Sequence, residues 1–186
     1  MKIRKQVSIS LIIFAILAIL IIFSVIYTNN QLREIDRNQQ IIDEIEKGSF
    51  ELYYLENDYF LHGGERPVRQ WNSKYDELSV QIKELKITGP DQLAVFNRLS
   101  ESFTELQPTF SNFVAISGSA QVGNDSIGSS QKLKEFAWSM LAEHTQMMMF
   151  KSSELSQLVK TESLAVQQRT ALVISFSLAG EAVAQI

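Results

Sequence analysis

Apolar residues fall in two arrangements along this chain. The first is continuous: residues 7–27, VSISLIIFAILAILIIFSVIY, run 21 positions without a charge. The second is periodic, with apolar residues returning every three or four positions in four later stretches, the spacing of a helix seam. Glycine and proline separate these stretches, and each one reads as a helix.

The first periodic stretch runs from about Asn30 to Leu61, with Leu32, Ile35, Ile42, Ile45, Leu52, Leu55 and Tyr59 on its seam and Arg33, Glu34, Asp36, Arg37, Asp43, Glu44, Glu46 and Lys47 on a solvated face. Gly48 and Ser49 weaken it in the middle, and His62-Gly63-Gly64 ends it, glycine being suited to a left-handed cap. The second opens at Pro67, a favoured first helical residue. Its seam of Val68, Trp71, Tyr75, Leu78, Ile82 and Leu85 stops before Thr88-Gly89-Pro90. The third starts near Asp91, a good N-cap residue, and its stripe is Leu93, Phe96, Leu99, Phe103, Leu106, Phe110 and Phe113, with Pro108 set to kink or interrupt its last turns. Residues 117–130, SGSAQVGNDSIGSS, read as a flexible loop, in which Asn124-Asp125-Ser126 forms a weak glycosylation signal. The fourth runs from about Gln131 to Thr170, with Leu133, Phe136, Met140, His144, Met147, Phe150, Leu155 and Leu158 expected on its core side.

These elements predict an all-α protein. Residues 1–6 form a basic cytoplasmic N-terminus and 7–27 a first transmembrane helix. Residues 28–170 form an extracytoplasmic up-down-up-down four-helix bundle, the simplest assembly for four amphipathic helices with short loops. A bilayer core of roughly 30 Å needs about 20 apolar helical residues, so the 7–27 run is long enough to cross. Lys2, Arg4 and Lys5 precede it with no acid between them, which keeps the N-terminus in the cytoplasm. A cleaved signal peptide has a shorter apolar core and small residues at the cut, whereas this run leaves through Val25, Ile26, Tyr27, Thr28 and Asn29. The fourth helix feeds into ALVISFSLAGEAVAQI, residues 171–186, where Glu181 interrupts the apolar character. That segment reads as an incomplete second crossing and suggests a piece of a longer protein.

Charge and composition narrow the functions. Residues 28–170 carry 14 basic and 20 acidic side chains, and no basic patch points to nucleic acid. Without cysteine there is no disulfide and no thiolate metal site. No phosphate loop, nucleophile elbow or zinc-protease motif is present, so this chain carries no catalytic residues, and it implies no cofactor and no metal. His144 stands among Met140, Met147, Met148 and Met149, which favours methionine as core filler over a soft metal pocket. The best candidate binding site is the hairpin around His62, Arg66, Arg69 and Trp71, with Tyr59 one turn before it. Two arginines near a helix N-terminus can hold a carboxylate or phosphate, and an aromatic ring can stack on a ligand. The plainer reading packs Trp71 against Tyr59 and pairs the arginines with Asp58 and Glu65.

The stretch Leu52–Leu78, LYYLENDYFLHGGERPVRQWNSKYDEL, resembles the helical hairpin in the extracytoplasmic sensor regions of membrane-bound histidine kinases, through Leu55, Asp58, Tyr59, Phe60, Leu61, Arg66, Arg69, Gln70 and Trp71. The layout of anchor, four helices and second crossing also resembles chemoreceptors. The resemblance implies a sensory input module, working as a homodimer in the membrane and receiving a small-molecule or protein ligand outside it. The kinase's phospho-accepting and nucleotide-binding parts have no counterpart in these residues. A chemoreceptor or cyclase receptor shares the same exterior. A pilin-like surface protein is the alternative of another class, but Met1–Gln6 lacks its processing signal.

Overall fold

A computed structural model describes residues 2–119 and 127–184. It is all-helical, with four helices and no strand among the described residues: α1 (Lys2–His62), α2 (Glu65–Glu84), α3 (Pro90–Ser119) and α4 (Ile127–Ala184). At about 1.5 Å per residue, α1 and α4 are each close to 90 Å long. The chain divides into two compact units, one made of residues Met1–Arg37 with Lys160–Ile186, the other of Asn38–Val159.

In the first unit α1 and α4 lie side by side, with Thr170 and Thr28 hydroxyls 3.4 Å apart. Ile19, Leu20, Phe23 and Tyr27 of α1 are exposed. α1 is long and apolar enough near its N-terminus to cross a membrane, with a mean hydropathy of 1.7 over its best window and none of that window buried. The apolar residues 7–27 and the periodic seam after them belong to one unbroken helix. The sequence offers no glycine or proline between Val7 and Lys47 to end it.

The second unit is a helical bundle with a continuous core of Ile42, Ile45, Leu52, Trp71, Leu78, Leu99, Leu106, Phe113, Leu141, Met148 and Leu155. α1 and α2 run antiparallel: Glu56 meets Trp71 near the hairpin, Glu44 meets Gln81 further along, and Asn38 meets Lys86 at the far end. α1 and α4 are also antiparallel, with Phe60 beside Lys134, Glu56 beside Thr145 and Gln39 beside Ser156. α3 returns along α2, stacking Phe110 on Trp71 at 3.9 Å and Phe103 on Tyr75 at 4.3 Å between ring centroids.

The ends of the helices follow local chemistry. Gly63 and Gly64 have φ of 68° and 91°, and the Gly63 amide donates to the Tyr59 carbonyl at 2.8 Å. That is the glycine cap expected for α1. α2 begins at Glu65, two residues before Pro67, which lies buried in its first turn. Proline fits there because the first four helical N–H groups have no partner within the helix. Between α2 and α3, Asn38 of α1 holds the connection in place: its amide donates to the Lys86 carbonyl at 2.8 Å and accepts from the Lys86 amide at 3.3 Å. α3 opens at Pro90, and the Gly89 carbonyl accepts from the Leu93 amide. Asp91 therefore sits inside the first turn, where a negative charge complements the helix dipole, instead of at the cap.

Three sequence expectations change. Pro108 does not interrupt α3, which continues to Ser119. Pro108 and Thr104 both lie on the exposed side, so the carbonyl deprived of a donor faces water. The expected loop 117–130 is shorter, since residues 117–119 and 127–130 are helical. Asn124-Asp125-Ser126 lies outside the described residues. Most importantly, α4 buries a different face from the one its bulky residues suggest. Ala137, Leu141, Ala142, Thr145, Met148, Ser152, Leu155, Ser156 and Val159 face the core, while Leu133, Phe136, Met140, Met147 and Phe150 are exposed. On this face Ser156 meets Gln39 and Asp43 of α1 and Thr145 meets Glu56 of α1, while Ser152 donates to the Met148 carbonyl of its own helix.

Gly48 serves a similar close approach. A Cβ at this buried position would stand 2.7 Å from Leu78 Cδ2, so the glycine that weakens α1 locally is what lets α2 pack against its backbone.

Candidate functional site

The hairpin residues separate into an outer and an inner group. His62 is exposed and its ring nitrogen lies 3.0 Å from Asp58, one turn back. Arg69 is exposed and donates to Glu65 at 3.0 Å, and Arg66 is exposed as well. Asp58 and Glu65 are thus already engaged with His62 and Arg69. Exposed pairs of this kind contribute little to stability.

Trp71 and Tyr59 point inward. Trp71 is fully buried between Tyr75, 5.3 Å away, and Phe110. Tyr59 meets Phe110 and Phe113 edge-on at 6.0 and 5.4 Å, and its hydroxyl lies 3.4 Å from the Val114 carbonyl. Burial raises the Tyr59 phenol above its ordinary value. The structure therefore does not bring the five residues onto one surface. The indole that a ligand was expected to stack on forms part of the core, because a heptad seam that closes on α1 and α3 takes its largest ring with it.

What Trp71 does reach is a carboxyl group. Its Nε1–H donates to Glu56 Oε1 at 3.1 Å. From α4, the Thr145 hydroxyl lies 2.8 Å from Oε1, 3.0 Å from Oε2 and 3.1 Å from the Leu141 carbonyl. Glu56 is 0% exposed. Burial pushes its carboxyl up from 4.5 to about 8, against the opposing pull of the hydrogen bonds from Trp71 and Thr145. At neutral pH it is a neutral acid at the junction of α1, α2 and α4. Sequence reasoning passed over this residue. The available signal was its phase: Glu56 stands four residues after Leu52 and three before Tyr59, on the apolar seam.

A polar groove on the outside of the α1–α2 pair is lined by Glu44, Lys47, Glu51, Lys74, Glu77 and Gln81. Three glutamates and two lysines line it, and the pairs among them hold most of the charge. Lys74 bridges Glu51 and Glu77, each at 2.7 Å, and these hydrogen bonds raise its ammonium group above the ordinary value. Among the described residues no three histidine, aspartate or glutamate side chains converge to hold a metal. His144 is half-buried, and of the surrounding methionines only Met148 belongs to the core.

Fold and site together define an all-helical bundle protein with an apolar N-terminal helix and an uncompensated acid at its centre. Comparison with known protein families, characterised proteins and solved structures finds no match to the chain.

Proposed function

We propose that the chain is the extracytoplasmic input module of a transmembrane signalling receptor, in the manner of a two-component sensor histidine kinase. Residues 7–27 anchor it with the N-terminus in the cytoplasm, and residues 28–170 form an up-down-up-down four-helix bundle outside. The observation that carries this reading is the unbroken course of α1 from Lys2 through the apolar run into the packed core at Ile42, Leu52 and Tyr59. On this reading a ligand-induced helix shift in the bundle is the signal passed along α1. A chemoreceptor or cyclase receptor would use the same input with a different output. A small-molecule or protein ligand would engage His62, Arg66 and Arg69 on the surface, and Tyr59 and Trp71 behind them would transmit the shift into the core.

The receptor acts as a homodimer whose copies meet along α4. Leu133, Phe136, Met140, Met147 and Phe150 form an exposed stripe, with Phe136 61% and Phe150 63% exposed. Its heptad-like steps suit a parallel helix pair, and two copies anchored in one membrane present it in parallel. An exposed apolar stripe of this extent calls for cover.

The absence of native cysteine makes the topology directly testable. Single cysteines at Lys5 and Asn72 are treated with an impermeant thiol reagent in intact cells. The reading expects Asn72→Cys to react from outside and Lys5→Cys only after permeabilisation. Labelling of Asn72→Cys only in permeabilised cells overturns it. For signalling, residues 1–170 are joined to the second crossing and output of a characterised receptor; an output unaffected by substitutions at Arg66 and Arg69 under every stimulus tried counts against the ligand surface.

A further inference from the structure

Glu56 has surroundings that suit only one of its two charge states. The Thr145 hydroxyl has a single proton but lies within bonding distance of both Glu56 oxygens and of the Leu141 carbonyl. With Glu56 neutral, every group is satisfied: Trp71 Nε1–H donates to Oε1, the acid proton on Oε2 is donated to the Thr145 hydroxyl, and that hydroxyl donates to the Leu141 carbonyl one turn back. With Glu56 ionised, Thr145 must turn to the carboxylate. The charge then has two donors and, among the described residues, no cation paired with it. A buried charge held so poorly favours any opening that admits water.

We propose that Glu56 is a proton-operated latch, which when neutral ties α1, α2 and α4 into one packed core and when ionised loosens α2 and α4 from α1. The inference concerns the bundle itself and does not depend on the signalling reading. Other titratable and charged groups surround the latch. On α1 and α2 they are Tyr59 and Tyr75, both raised by burial and neutral over this range, and Lys74, held by Glu51 and Glu77. α4 contributes the half-buried His144 beside Thr145, and Lys151 two turns on, paired with Glu154. α3 presents Phe103, Phe110 and Phe113. With burial holding the carboxyl near 8, the latch opens as an alkaline shift removes its proton.

The test uses the full chain in detergent micelles, as wild type, Glu56→Gln and Thr145→Val. Infrared difference spectra follow the carbonyl stretch of a protonated carboxylic acid as pH rises. Amide hydrogen exchange in α2 and α4 is compared between wild type and Glu56→Gln at each pH, which cancels the intrinsic pH dependence of exchange. The latch predicts a neutral-acid band at pH 7 that disappears with a midpoint near 8 and is missing in Glu56→Gln. It also predicts exchange in α2 and α4 that becomes progressively faster in wild type than in Glu56→Gln as pH rises from about 5 towards the midpoint, with the difference levelling off above it. Thr145→Val removes a donor to the carboxylate and should move the midpoint upward, which keeps the test available if Glu56→Gln folds poorly. An ionised Glu56 at pH 7, or matched exchange in the two proteins on both sides of the midpoint, overturns the proposal.

Discussion

Replacing Glu56 by glutamine should make the bundle more stable at neutral pH, although it removes an acid held by two side chains. The folded protein holds this carboxyl near 8, against 4.5 when exposed. Below 4.5 both states are protonated and the group contributes no pH dependence. Between 4.5 and 8 the folded state retains a proton that the unfolded state has lost, so stability falls as pH rises, by about 1.4 kcal/mol per unit. Above 8 both states are ionised and the loss is complete, at about 5 kcal/mol if nothing relaxes. At pH 7 the wild type carries about 3 kcal/mol of this cost. Glutamine keeps an oxygen for Trp71 and an N–H for Thr145, but its second amide hydrogen lacks a partner, which costs about 1 kcal/mol. The net expectation is a gain of roughly 2 kcal/mol at pH 7, and a flatter dependence between pH 5 and 8. Urea unfolding at a series of pH values reads it, with Trp71 fluorescence as the signal in a Trp138→Phe background. If wild type and Glu56→Gln lose stability in parallel from pH 5 to 8, the buried-acid argument is wrong.

Three other outcomes are expected. Gly48→Val should lower stability by about 1–3 kcal/mol, since its side chain must displace the buried Leu78; thermal melts should show Leu78→Ala recovering part of the loss in the double variant. Arg69→Ala should change stability by no more than about 0.5 kcal/mol, because Arg69 is exposed and makes a surface pair with Glu65, so a loss of signalling without a shift in melting temperature would place it at a ligand. Single cysteines at Phe136 and Met147 should form disulfides between copies in the membrane, while Asn72→Cys on α2 should not; equal cross-linking at all three would remove α4 as the dimer contact.

Much of the local structure was legible from residue order. The apolar run 7–27, the glycine pair after His62 and the Thr88-Gly89-Pro90 break reflect backbone and solvation preferences that act over a few residues. The two glycine-containing breaks mark where helices stop whatever surrounds them, whereas the apolar run does not end at Tyr27 but continues into the same helix. Most of the inner faces of α2 and α3 was legible too, because Trp71, Leu78 and Ile82, and Leu99, Phe103, Leu106, Phe110 and Phe113, are bulky and buried, although Leu93, expected on the α3 stripe, is exposed while Gln92 and Val95 are buried. α4 is where size misled. Phe136, Met140, Met147 and Phe150 stand outside, while Met148, Leu141 and Leu155 face the core together with alanine, serine and threonine, because the buried face is chosen by what the neighbouring helices offer and not by size alone. The same limit applies to the candidate site. Sequence placed Trp71 beside Arg66 and Arg69 and was silent on Glu56. Only the packing of α2 and α4 against α1 turned the indole inward and brought the Thr145 hydroxyl to the same carboxyl. The chain's own order determined its helices, while the meeting of Glu56, Trp71 and Thr145, 15 and 89 residues apart, required the tertiary structure, since charge state and burial depend on neighbours that periodicity does not specify.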